Sequence, residues 1–310
     1  MRELIRVAPE VRAALREGKA VVALESTLVA HGMPYPTNLK TALALEEAVR
    51  EGGAVPATVA VVGGQVKVGL SESDLELIAS DPDVYKASQH DLPVLITKRW
   101  HGATTAAAAI AVAGRVGISV FATGAIGGVH RDVMETLDVS TDLTEIARTP
   151  VCVVCSGVKT VLDTDWTLEY LETRGVPVLG YQTDVFPAFY YRDSGCPVDY
   201  RVESPLEAAR VMSVKWALGF TGGLVVANPV PEALELDPDL VEDAVDEALY
   251  ELEERGIRGK AVTPFLLQVL HEKTEGATLR TGVALAEENA RLAARVASEF
   301  ARLQAARSIS

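Results

Sequence analysis

Residues 20–38 read AVVALESTLVAHGMPYPTN. The first five, Ala20 to Leu24, are apolar and rich in small and β-branched side chains, which suits a strand buried on both faces. From His31 onward Gly32, Pro34 and Pro36 supply loop chemistry. Between the two a carboxylate, Glu25, closes the strand. Burying an unpartnered polar group costs on the order of several kcal/mol. Glu25 is therefore solvated at a strand end, paired, or kept there for chemistry.

The pattern repeats outward from this point. A first helix is expected over about residues 8–17, and PTNLKTALALEEAVREGG (36–53) reads as a second, its apolar positions spaced by three and four and closed by Gly52 and Gly53. ATVAVVGGQVKVGL (57–70) follows as two alternating runs around Gly63-Gly64, a tight hairpin whose turn needs positive φ. SESDLELIAS (71–80) is a short helix capped by Ser71 or Ser73. PVLI (93–96), SVFAT (119–123), PVCVVC (150–155), PVLGYQ (177–182) and GLVVAN (223–228) read as strands. Between them lie helices over 104–113, 165–174 and 205–217. From about 239 onward the pattern is helical, ending in a long helix over about 278–304. Continuously apolar strands alternating with helices indicate a layered α/β core around a buried sheet, which the hairpin makes mixed. No linker-like composition break divides the chain, so residues 1–310 are expected to form a single domain.

Bulk properties exclude more than they assign. Of 310 residues, 48% are hydrophobic and 23% charged, an ordinary globular mix. A formal charge of -14 argues against general nucleic-acid binding, which needs a basic footprint. Three cysteines make no disulfide framework and fit a reducing compartment. The charged opening MRELIRVAPEVRAALREG lacks the apolar core of a signal peptide, and the run ATTAAAAIAVAG (103–114) is too short for a bilayer. A cytoplasmic protein without membrane partners is the expectation.

Several stretches carry chemistry. In VCSGVKTVLDT (154–164), Lys159 follows an apolar strand and a Ser156-Gly157 turn. Desolvation there favours a neutral, nucleophilic amine; the other reading is a solvated loop lysine. LDVSTDLTEI (137–146) offers Asp138 and Asp142 around two hydroxyls, hard oxygen ligands that suit Mg²⁺ or Mn²⁺. The same residues also make an ordinary helix start, with Ser140 or Thr141 as cap and Glu145 in support, and spacing alone favours the cap. HGATT (101–105) leads into a helix whose amino terminus, with Lys86, Lys98 or Arg99 nearby, suits a phosphate. GAIGG (124–128) is no dinucleotide fingerprint. Cys152 and Cys155, three apart on a strand, point to opposite faces and read as core thiols. His31 and His130 lack metal-motif spacing and read as local hydrogen-bonding groups.

Taken together, LESTLVAHGMPYPTN, KASQHDLP, HRDVMETLDVSTDLTEI, CSGVKTVLDTDWTLEYLETRGVPVLGYQTDVFPAFY and GKAVTPFLLQVL make the chain resemble, over nearly its whole length, the pseudouridine-5′-phosphate glycosidase family, related to indigoidine-biosynthesis A proteins. The resemblance implies a three-layer α/β/α fold with a central mixed β-sheet, a homotrimer, and reversible cleavage of pseudouridine 5′-phosphate to uracil and ribose 5-phosphate. By resemblance, Lys159 is the nucleophile that forms an imine with ring-opened ribose, and Glu25 is the proton donor. Asp138 holds one Mn²⁺ per subunit. Lys86, Ala106, Ser140, Thr141 and Asp142 fall on substrate-binding positions, Ala106 through backbone and shape alone. The chain departs from the family where Val often stands at Ala106, an Asn near Gly282, and two consecutive Asn at Glu288 and Asn289, so the last helix is not expected in the site. The competing readings are an aldolase-like lyase acting on another sugar phosphate, or a non-catalytic sugar-phosphate-binding protein. Glu25, Lys159 and Asp138 together argue against the second, because binding alone needs no acid paired with a nucleophile.

Overall fold

The computed structural model describes residues 4–309. Its strands are β1 (Ile5–Val7), β2 (Val21–Leu24), β3 (Val55–Val62), β4 (Gln65–Val68), β5 (Tyr85–Ala87), β6 (Gly102–Thr104), β7 (Val120–Ala122), β8 (Val129–His130), β9 (Cys152–Cys155), β10 (Leu162–Asp163), β11 (Val178–Tyr181), β12 (Tyr200–Val202) and β13 (Leu224–Ala227). The main sheet runs β1-β4-β3-β2-β7-β9-β13-β11-β12, with β6 added to β3 and β5 to β6; β8 and β10 form a separate pair. From β3 to β12 every pair along this order is parallel, whereas β4 and β6 meet β3 antiparallel. The sheet is mixed, as the hairpin requires. Its turn residues Gly63 and Gly64 sit at φ 58 and 77, where a side chain would be strained.

Period-2 alternation sends successive strand residues to opposite layers. Val21 and Ala23 pack with the helices Ala106–Val116 and Thr141–Arg148, while Val22 and Leu24 pack with Thr37–Glu51 and the long helix Ala277–Ile309. Cys155 joins the first layer and Cys152 the second, both wholly buried. Burial raises both thiols, Cys155 to about 12, so they stay protonated core groups. The chain is thus three layers, α/β/α. Among the described residues no helix is long and apolar enough to cross a membrane.

Some expected elements differ. PVLI lies within the helix Leu92–Lys98 rather than a strand, because Pro93 sits in its first turn, where a missing N–H costs nothing. The stretch after Glu25, expected as loop, first forms the short helix Thr27–His31. β1, β5, β6, β8, β10 and β12 are two or three residues long, below what alternation can reveal. Of Ser71 and Ser73, Ser71 closes a capping box with Asp74, and of Ser140 and Thr141, Ser140 caps the helix Thr141–Arg148. Glu145 supports the other end of that helix, where Thr149 Oγ1 (2.5 Å) and Arg148 Nε (2.9 Å) donate to its carboxylate.

Beyond β9 the chain must turn sharply. Gly157 takes φ +99, and a Cβ there would stand 1.9 Å from the Pro187 carbonyl oxygen. Gly157→Ala is expected to lower stability by about 1–3 kcal/mol, the usual cost of forcing a side chain into such backbone. Denaturant unfolding checks this; an unchanged midpoint would mean the turn relaxes freely.

Candidate active site

Parallel strands paired in register deliver the residues that follow them to a common edge. Leu24, Ala122, Val154 and Val226 stand opposite one another across β2, β7, β9 and β13. One residue further lie Glu25 and Thr123, and one further again Ser156 and Asn228, all at the carboxyl ends of the strands, where ligands of α/β sheets bind.

Glu25 is half-buried there. Thr123 Oγ1 donates to its Oε1 at 2.6 Å and Thr27 Oγ1 donates to its Oε2, so both oxygens are fixed by hydroxyls from two elements. The neighbouring Ser26, wholly buried, donates to the Val59 carbonyl (2.7 Å) and accepts from Thr104 N–H (2.9 Å). That pair of bonds pins β2 to β3 and β6 where Glu25 begins. Lys86, on β5, is half-buried in the same region, and its amine senses the charges of Lys159, Asp142, Glu25 and Lys260. Burial first, and the Lys159 cation next, hold it below the usual lysine value, while Asp142 and Glu25 oppose them. His31 stands near Lys86; desolvation and then the Lys86 charge lower its imidazole. Lys159 is half-buried on the turn after β9, anchored by its N–H to Ile126 O (3.1 Å), and among the described residues its amine has no carboxylate in salt-bridge contact.

The third side is built around Asp142. It is buried, and its carboxylate accepts Ala107 N–H and Gly127 N–H, each at 2.8 Å. One anion thus fastens the start of the helix Ala106–Val116 to the loop after β7. Gly127 must be glycine, since a Cβ would meet Ser140 Oγ at 2.1 Å. In that helix start Ala107 donates to Asp142, Ala108 to Thr105 Oγ1 and Ala109 to the Thr105 carbonyl. Among the described residues the Ala106 N–H, the first of the helix, has no such partner and is the donor left for a ligand. Ser140 Oγ accepts from Asp142 N–H (3.2 Å), and the Thr141 and Ser88 hydroxyls meet at 2.9 Å, two residues from Lys86.

Asp138 is half-exposed. His130 donates its N–H to the Asp138 carbonyl (3.1 Å), and His130 Nε2 lies 3.7 Å from its Oδ2. Through the β8–β10 pair, His130 stands opposite Leu162, three residues beyond Lys159. Among the described residues no group of three His, Cys, Asp or Glu converges into a metal cage. Beside His130, Asp138 offers a single half-exposed carboxylate, a donor set that fits a hard divalent ion keeping most of its waters.

Glu25, Lys86, Ala106, Ser140, Thr141, Asp142 and Lys159 therefore surround one region, with Asp138 beside it. Lys98 and Arg99 do not join them. Both are exposed, and Arg99 stands against Gly64 at the hairpin turn. Thr123, Ser156, Asn228 and Asn289 went unrecognised in the sequence, and Asn289, from the excluded last helix, reaches the strand ends. The signal for the first three was available: each is the first polar residue after an apolar strand.

A parallel α/β core that gathers an acid, two amines and a free helix N–H at one sheet edge defines a class of enzymes acting on small anionic molecules. The comparisons narrow that class. The model of the indigoidine synthase A like protein family matches residues 10–299, and the chain belongs to this family. A pseudouridine-5′-phosphate glycosidase from Caldanaerobacter subterraneus subsp. tengcongensis is 52% identical over 98% of this chain and 99% of its own. One from Deinococcus radiodurans is 53% identical over 95% and 94%. Among solved structures, the prealnumycin C-glycosynthase AlnA in complex with ribulose 5-phosphate superposes with a TM-score of 0.91 at 39% identity, over 98% of this chain and 99% of that one. An indigoidine synthase A-like protein from Thermotoga maritima gives 0.88 at 35%, over 96% and 97%.

Proposed function

We propose that this chain is a pseudouridine-5′-phosphate glycosidase, cleaving the carbon–carbon bond between ribose C1′ and uracil C5 reversibly to uracil and ribose 5-phosphate. The observation that carries the reading is the convergence of Glu25 and Lys159 around Lys86 at the strand ends, in a chain about half identical to glycosidases of that name. The structural neighbour that holds a pentose 5-phosphate supports the substrate class.

A carbon leaving group has no lone pair to protonate, so the bond breaks only when uracil C5 accepts a proton and an electron pair is pushed from the sugar side. The Lys159 amine bonds to C1′ through its lone pair as the ring oxygen departs, and a proton passes from the attacking nitrogen to that oxygen, opening the ribose and restoring the nitrogen lone pair. Glu25 delivers a proton to uracil C5. The nitrogen lone pair then forms the C=N bond, the C1′–C5 pair returns to the protonated base, and neutral uracil leaves. Water hydrolyses the imine, releasing ribose 5-phosphate and the free amine. Glu25 is held for its task by Thr27 and Thr123. Lys86 and the Ala106 N–H are the groups for the phosphate, with Ser140, Thr141 and Asp142 shaping the sugar subsite. Asp138 would hold one Mn²⁺, which would supply charge neutralisation for an anionic substrate. A homotrimer is part of the same proposal.

Borohydride added with ribose 5-phosphate is expected to trap an adduct on the peptide carrying Lys159, and Lys159→Ala to abolish uracil release while the fold persists. Turnover retained in that variant removes the nucleophile assignment.

Excess chelator is expected to stop uracil release and Mn²⁺ to restore it; full activity in chelator counts against Asp138 as a metal ligand.

Because Lys86 is held below the usual lysine value, it loses the phosphate-binding cation at lower pH than an exposed lysine would. In wild type, kcat/KM, which reports the free enzyme, is expected to fall as pH rises through that lowered value. Lys86→Arg, which stays charged, should move the fall upward and Lys86→Met should remove it along with most substrate affinity. Identical profiles for wild type and Lys86→Arg would exclude the role.

A further inference from the structure

We infer that Asn289 is the positioning residue that sets the acid against the amine; the inference rests on the glycosidase reading and assigns a role within the same site. Asn289 lies mid-way along the helix Ala277–Ile309 and is wholly buried. Its Nδ2 donates to the Thr123 carbonyl (2.9 Å), the Gly124 carbonyl (3.3 Å) and Ser156 Oγ (3.0 Å). Its Oδ1 accepts from Asn228 Nδ2 at 2.9 Å, with Ser156 Oγ at 3.4 Å. One amide thereby joins the ends of β7, β9 and β13, from the helical layer that carries none of the proposed reacting groups.

The partners make this more than a core hydrogen bond. Thr123 is the residue whose hydroxyl holds Glu25 Oε1. Ser156 opens the turn through Gly157 to Lys159, and its N–H is bonded to the Gly124 carbonyl (2.8 Å). Asn289 therefore grips the acid's support and the amine's base at once. Only a side-chain amide of this length both donates twice and accepts. A carboxylate would face the Thr123 and Gly124 carbonyls, and an apolar isostere would strand the buried Ser156 and Thr123 groups. Asn289 touches neither proposed reacting atom, so it acts through Thr123 and Ser156.

The test uses full-length Asn289→Asp, Asn289→Ser, Asn228→Ala and Thr123→Val. Expected are a fall in kcat of about tenfold or more in the two Asn289 variants with KM within about threefold, and a smaller loss of about threefold in Asn228→Ala. Groups acting as one unit give non-additive losses. The double variant Thr123→Val/Asn289→Ser should therefore lose little beyond its worse single change. Unchanged kcat, losses carried by KM, or fully multiplicative losses overturn the assignment. If the Asn289 variants fail to fold, Asn228→Ala decides: half-buried and bound to the far side of the amide, it must lower kcat without lowering the melting temperature, and unchanged kcat overturns the assignment. Borohydride trapping with ribose 5-phosphate needs no pseudouridine turnover. A wild type that traps but releases no uracil overturns the glycosidase reading, and Asn289 is then judged by whether Asn289→Asp slows trapping about tenfold or leaves it unchanged.

Discussion

Register in the parallel sheet is the constraint from which the rest of this molecule follows. Leu24, Ala122, Val154 and Val226 are locked opposite one another by the ladders of β2, β7, β9 and β13, and none of these strands can slip by one residue without sending its core side chains to the wrong layer. Glu25 and Thr123 must therefore emerge side by side. Ser156 and Asn228 must emerge in the next row. The 2.6 Å bond between Thr123 and Glu25 is thus a consequence of strand pairing rather than of a flexible loop finding its partner. Sites held in this way inherit the rigidity of the core, which suits groups that must keep one geometry against a bound ligand.

Charge is arranged around that rigid edge with little redundancy. Asp142 is buried but spent on two backbone N–H groups, so its negative charge fixes the helix start and the Gly127 loop while still balancing Lys86. Lys86 and Lys159 repel each other across the site, with Glu25 and Asp142 as the opposing anions. The nearby Lys159 cation adds to burial in holding Lys86 below the usual lysine value, and two amines this close favour an anionic ligand between them.

How much of this could be read in advance depends on length and periodicity. Ala20 to Leu24, PVCVVC and GLVVAN are apolar without a break, so they declare buried strands, and the alternation of Cys152 and Cys155 between layers follows from the period of two. Glu25 and Lys159 were legible as strand-end residues, and the three-layer arrangement came with the family resemblance. PVLI was misread because four apolar residues have no period of their own, and only Pro93 at the start of a helix separates the two readings. β5 and β6 escaped because their three residues are ordered by each other and by β3, a tertiary effect. Asn289 escaped for a deeper reason: its partners Thr123, Gly124, Ser156 and Asn228 are more than sixty residues away, and nothing local marks one polar residue in a helix as the one that turns inward.

That inward turn is possible because of what surrounds it. The stretch of the last helix that faces the sheet is built from Ala286, Ala290, Ala293, Ala294 and Ala297, all buried, with Leu292 and Val296 filling between them. Small side chains let a helix axis approach a sheet closely, and the same small face packs tightly on the neighbouring helix, where a Cβ on Gly52, at the end of Thr37–Glu51, would stand 2.5 Å from that of Ala294. Asparagine has a short reach, two bonds from backbone to amide carbon. On a helix held off by leucines its Nδ2 would fall short of the strand-end carbonyls; on an alanine face it arrives at 2.9 Å. The alanine pattern, which on its own reads only as helix propensity, is thus a geometric condition for tying β7, β9 and β13 together. The neighbouring Glu288 is bonded to Arg291, and among the described residues Asn289 is the buried polar side chain of the stretch these alanines span.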